Sequence, residues 1–143
     1  MGLVKAVCIS REKGTRKEDV KEAVFKENHG LVGDAHAGNW HRQVSLLSYE
    51  KIEEFRHRGA EVQFGDFGEN LVVEGYDFKT LPVGTKFQCR TVVLRMTQIG
   101  KECHHGCQTM GDCIMPREGV FCVVEHGGTI QVGDSFEILE KGN

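Results

Sequence analysis

The sequence lacks any apolar run approaching the ~20 residues needed to cross a bilayer, so a membrane-spanning helix is not expected. It lacks an excess of one charge: 18 basic and 21 acidic residues leave a net charge of -3 with both signs scattered. That offers no basic field of the kind that gives nucleic-acid binding its sequence-independent affinity, and nucleic acid is excluded as an expected partner. The N-terminus MGLVKAVCIS lacks the charged start and unbroken apolar middle of a secretory signal, so a cytoplasmic location is expected. Internal repeats, linkers and low-complexity tracts are also missing, and 143 residues are expected to form a single domain over 1–143.

What is present is mostly short apolar stretches punctuated by 18 glycines. Residues 3–9 (LVKAVCI) read as a first strand, and further strands are expected around 62–64, 69–74, 85–98, 119–125 and 129–139. His126-Gly127-Gly128 reads as a hairpin connection between VFCVV and TIQV, and Leu81-Pro82-Val83-Gly84 as a turn with proline at its second position. The clearest helix is 49–58. Ser48 stands at its N-cap, Tyr49, Ile52 and Phe55 share a face, Glu54 and Arg58 have i,i+4 spacing, and Gly59 can end it. Thr15 and Glu18 have capping-box spacing, which leaves a short helix over 16–25 and an extended VKEAVF both open. One strong helix among many short strands favours a mainly β, closed barrel with a few short helices, because closure removes exposed strand edges.

Two segments carry the candidate chemistry. In QIGKECHHGCQTMGDCIMPREG, residues 98–119, Cys103, His104, His105, Cys107 and Cys113 fall close together. They could converge as a zinc site, although C-x3-C followed by x5-C lacks the second closely spaced pair typical of such sites. Alternatively one of them is a nucleophile, kept as thiolate by Lys101, Arg117 or a protonated histidine. Of the six cysteines, Cys8 and Cys122 sit in apolar strand patterns and read as core, while Cys89 is ambiguous. The second segment, GLVGDAHAGNWHRQVSLL over 30–47, sets Asp34 and His36 among three glycines, followed by His41 and Arg42. Glycine-loop amides together with Arg42 could hold an anion such as phosphate.

These segments, with FGDFGENLVVEG at 64–75, PVGTKFQ at 82–88, GKECHHGC and CIMPREGVFCVVEHGGTIQVGD at 113–134, resemble in their order the MOSC family, named after the C-terminal part of molybdenum cofactor sulfurases. The resemblance covers residues 3 to 139 and is to the short stand-alone bacterial members. It implies a MOSC-type β-barrel and a cysteine that carries sulfur or ligates molybdenum, which in this sequence is Cys103. Cys107 and Cys113 are candidate resolving or ligating partners. The implied cofactor is the molybdenum cofactor (molybdopterin), with Asp34, His36, Arg42, Arg95, Lys101 and Arg117 as candidate contacts. A cysteine desulfurase, and a molybdoenzyme or cofactor biosynthesis protein, are the partners such a role implies. The sulfur chemistry suits a thiolate, which can accept sulfane sulfur and is a soft ligand for a soft metal. The rival reading is a structural or regulatory zinc module built on the 103–113 cluster, and a third is a shuttle with no chemistry of its own.

Overall fold

A computed structural model describes residues 2–100 and 118–142. Among them are eleven strands and one α-helix: β1 (Gly2–Ile9), β2 (Glu18–Asp19), β3 (Glu22–Lys26), β4 (Gly30–Leu31), β5 (Val44–Ser48), α1 (Tyr49–His57), β6 (Leu71–Glu74), β7 (Lys86–Cys89), β8 (Val92–Ile99), β9 (Val120–His126), β10 (Gly128–Gln131) and β11 (Ser135–Glu140). A 3-10 turn, Phe78–Thr80, separates β6 from β7.

Seven strands close into a barrel in the order β1-β6-β5-β9-β8-β7-β11, with β11 pairing back onto β1. Every pair in the ring is antiparallel except β5 with β6. Parallel neighbours cannot be joined by a tight turn, and α1 lies in the crossover between them. The expected mainly β barrel is therefore the observed architecture.

Strand alternation divides the core in two. Val7, Leu46, Leu71, Val73, Val120 and Cys122 point inward to the main cluster, while their neighbours Ala6, Cys8, Leu47, Val72 and Phe121 point outward and meet Ile52 and Phe55 of α1. Strands buried on both faces read as continuous apolar runs, which is why VSLL and LVV show no alternation in sequence. Inside, Phe78, Phe87 and Phe136 meet with ring centroids 5.1 to 6.2 Å apart, and Tyr76 borders them. A separate sheet, β10-β3-β4, adds Ala23, Phe25, Leu31 and Ile130 to the same cluster.

Several local expectations are corrected. The strand expected at 62–64 is absent, while segment 16–25, open between helix and strand in sequence, holds β2 and the start of β3. β9 and β10 do not form a hairpin across His126-Gly127-Gly128, because β10 pairs with β3 while β9 lies between β5 and β8. The 85–98 stretch is two strands turned at Arg90, whose φ is 55°, and the 129–139 stretch is likewise split. The Pro82 turn is shifted by one residue, since Thr85 N–H donates to the Pro82 carbonyl at 3.1 Å. Ser48 does occupy the N-cap of α1, but its hydroxyl donates to Glu50 at 3.2 Å instead of accepting from the helix backbone. Glu54 pairs with Lys51 at 3.5 Å rather than with Arg58, which lies over the Phe55 ring.

Candidate functional site: a cationic cavity on the barrel wall

The candidate site is built on the outer face of β5 and β9, where Ser45 and Phe121 are register partners. Three loops come over this wall and leave a cavity of about 280 Å³ lined by Lys17, His36, Trp40, Arg42, Ser45, Gly68, Asn70 and Phe121. The first is the glycine-rich loop between β4 and β5. Gly30 packs so closely on the Gln43 backbone that a Cβ there would stand 2.7 Å from its carbonyl oxygen. Further along, Trp40 Nε1 donates to the His36 carbonyl at 2.9 Å, His41 Nε2 lies 3.0 Å from Gln98 Oε1, and Thr97 Oγ1 donates to the His41 carbonyl. Gln43 Oε1 accepts from Val124 N–H at 2.9 Å. The loop is thus pinned to β8 and β9 from both sides of Arg42.

Beneath the loop lies a buried polar network. Lys17 Nζ donates to Asp34 Oδ1 at 2.6 Å, and the two side chains are 3% and 0% exposed. A buried pair of this kind needs its remaining hydrogen-bonding capacity filled, and it is. Asp34 Oδ1 also accepts from Ser10 N–H at 3.0 Å, and Asp34 Oδ2 from Asn70 Nδ2 at 3.2 Å. Asn70 in turn accepts from Ser45 N–H at 2.9 Å and donates to the Cys8 carbonyl at 3.0 Å. Lys17 Nζ continues to Ser10 Oγ at 3.4 Å and His36 Nδ1 at 3.1 Å. Asp34 is therefore the anchor of the site, with its carboxylate fully engaged behind the cavity wall.

The cavity's charged lining is cationic. Among the described residues Lys17 and Arg42 line it and no carboxylate does. Arg42 stacks with its guanidinium 4.7 Å from the Trp40 ring and 5.6 Å from the Phe121 ring. Its Nε is buried and has no hydrogen-bond partner among the described residues. An orphaned guanidinium N–H costs free energy unless a ligand oxygen completes it, so the donor set fits an anionic group beside a planar apolar one. At about 280 Å³ the cavity lies at the lower limit of ligand pockets, room for a small group.

Of the residues expected from sequence, the structure brings His36 and Arg42 into this cavity and places Asp34 behind it. Arg95 is elsewhere: its Nε pairs with Glu125 at 2.9 Å, and Lys86 joins the same carboxylate at 3.2 Å. Lys101, Cys103, Cys107, Cys113 and Arg117, and with them the zinc alternative, lie outside the described residues. The other three thiols are buried. Burial pushes Cys89 up to about 12, and pushes Cys8 and Cys122 higher still, so none is a ready nucleophile. Lys17, Ser45 and Phe121 were not legible as site residues. Ser45, Asn70 and Phe121 at least fall within the motifs quoted for the family resemblance, whereas Lys17 looks in sequence like its neighbours Lys13 and Lys21.

A closed seven-stranded barrel whose outer wall carries a cationic cavity under a glycine-rich loop defines the class of protein. The MOSC domain model matches residues 33–137, and the chain belongs to the MOSC domain family, which is associated with molybdenum cofactor-related function. Among solved structures it is similar to the YuaD protein from Bacillus subtilis (19% identity, 96% of each chain covered, TM-score 0.80). It is also similar to YiiM from Geobacillus stearothermophilus (15% identity, 98% of this chain and 76% of that one, TM-score 0.76). YiiM from Escherichia coli is a further neighbour (16% identity, 99% and 71% covered, TM-score 0.71). At such identities the likeness establishes the fold alone. No curated protein matches the chain.

Proposed function

We propose that the chain binds the phosphate-bearing end of the molybdenum cofactor in this cavity and carries sulfur on Cys103. The observation that supports it most directly is the buried, unpartnered Nε of Arg42, held between two aromatic rings in a cavity whose charged lining is cationic. Arg42 binds and orients the anion, Lys17 adds positive charge to the cavity wall, and Phe121 and Trp40 offer apolar faces to a ring system. When bound, the cofactor supplies a soft metal centre that can take a sulfur ligand.

Cys103 stands four positions after Ile99, where β8 ends. Gly100 N–H donates to the Gly119 carbonyl at 2.7 Å, and Gly119 stands two residues before Phe121. For sulfur transfer, the Cys103 thiolate attacks the terminal sulfur of a persulfide on a cysteine desulfurase. One S–S bond forms on Cys103, the donor's S–S bond breaks, and the donor cysteine leaves as thiolate.

The test is anaerobic purification with mass spectrometry of the bound pterin, for wild type and Arg42→Ala. Loss of a charge-assisted bond is expected to cost about 1.5–3 kcal/mol, roughly ten- to a hundredfold in affinity, with the fold intact by circular dichroism. In parallel, incubation with a desulfurase and cysteine without reductant should add one sulfur to Cys103. Unchanged affinity in a folded Arg42→Ala protein removes the cavity from the reading, and absence of any added sulfur removes the carrier role.

A further inference from the structure

Lys17 is not explained by ligand binding alone, because its ammonium group is already committed. It has three hydrogens and three acceptors within reach: Asp34 Oδ1 at 2.6 Å, His36 Nδ1 at 3.1 Å and Ser10 Oγ at 3.4 Å. An ammonium group can only donate, so the contact with His36 is possible only when Nδ1 carries a lone pair. We propose that Lys17 is a positioning residue that locks His36, a lining residue of the cavity, as a neutral imidazole with its proton on Nε2. Whatever His36 meets through Nε2, it meets as an N–H donor and not as a base.

The surroundings act in the same direction. Among the described residues the charged groups near His36 are Lys17, which touches it, Asp34, which Lys17 pairs with, and Arg42, which lines the same cavity. Asp34 is occupied by Lys17, Ser10 N–H and Asn70, which leaves it engaged away from the ring. The ring's backbone is held as well, through the Trp40 Nε1 bond to the His36 carbonyl at 2.9 Å. The consequence for specificity is that His36 presents a neutral, fixed-direction N–H to whatever group meets its Nε2. It would favour a ligand oxygen that needs no proton removed. The inference rests on the reading of this cavity as a ligand site, but its test needs no ligand, so the two can fail separately.

The experiment is nitrogen-15 NMR of histidine-labelled protein at pH 7.5, with His36 assigned from the signals lost in His36→Gln. Wild type should show an unprotonated Nδ1, shifted by an accepted hydrogen bond, and a protonated Nε2. The Lys17→Met/Asp34→Asn double variant removes the donor without leaving a buried charge, and should move the Nδ1 signal to that of an unbonded nitrogen. A protonated Nδ1 in wild type overturns the proposal, as does an unmoved His36 signature in a folded double variant. If the double variant does not fold, Lys17→Arg decides: it retains a donor, so Nδ1 should stay unprotonated and bonded, and a protonated Nδ1 there overturns the proposal.

Discussion

Glu69 shows how much a single residue near this cavity is asked to do. It is fully buried, yet both carboxyl oxygens accept backbone N–H groups, from Gly65 at 2.8 Å and Phe67 at 3.1 Å, and so shape the loop that ends in Gly68 and Asn70. Burial outweighs those bonds and pushes its carboxyl up to about 7. The folded value lies above the unfolded one, so the folded state binds the proton more tightly. Stability from this group is therefore fully present below about 4.5 and lost as the pH rises through about 7. Chemical denaturation of wild type and Glu69→Gln across pH 4.5 to 8 should show the variant's relative stability rising by on the order of 3 kcal/mol over that window. A constant difference between the two proteins would mean that folding leaves the Glu69 carboxyl at its ordinary value.

At the scale of elements, the cavity depends on loops being pressed together more than on the strands beneath them. The clearest instance is Gly65, whose φ is +95° and whose absent side chain lets the loop before β6 lie against the Lys17 backbone carbonyl. Alanine there would both collide with that oxygen and occupy a strained backbone region. Gly65→Ala is expected to cost roughly 2–4 kcal/mol by urea denaturation, the sum of overpacking and left-handed strain. Gly59→Ala is the matched control. Its φ is +98° but nothing lies within 4 Å of where the alanine methyl would stand, so only about 1 kcal/mol should be lost. Equal costs at the two sites would show that the approach of the loop to Lys17 does not constrain the fold.

For the whole molecule, closure of the barrel by β11 on β1 makes distant parts of the chain mutually dependent. Phe136, fully buried on β11, meets Phe87 with centroids 5.1 Å apart and Phe78 at 6.2 Å. Phe136→Ala should cost about 3–5 kcal/mol, a large share of the ~5–15 kcal/mol that stabilises an ordinary domain. Trp40 reports on the cavity loop by fluorescence and far-ultraviolet circular dichroism reports on the strands. The two transitions should move together to lower urea. A cavity signal that stays at the wild-type midpoint would mean that the loop folds independently of closure. No helix among the described residues is long and apolar enough to cross a membrane, as the short apolar runs required.

The sequence by itself determined the class of fold and most strand positions, because β propensity and glycine punctuation are local properties: β1, β6 and β9 fall where LVKAVCI, LVVE and VFCVV stand. It also marked Arg42 and His36, which share one short motif. Tertiary structure alone decided which strands pair, and it overrode the local hairpin signal at Gly127-Gly128 because β10 finds its partner far upstream in β3. It likewise decided that Arg95 faces Glu125 and that Lys17, unremarkable in a polar stretch, is buried against Asp34. Charge pairing depends on where a side chain comes to rest, and for residues far apart in the chain that is set only when the barrel closes.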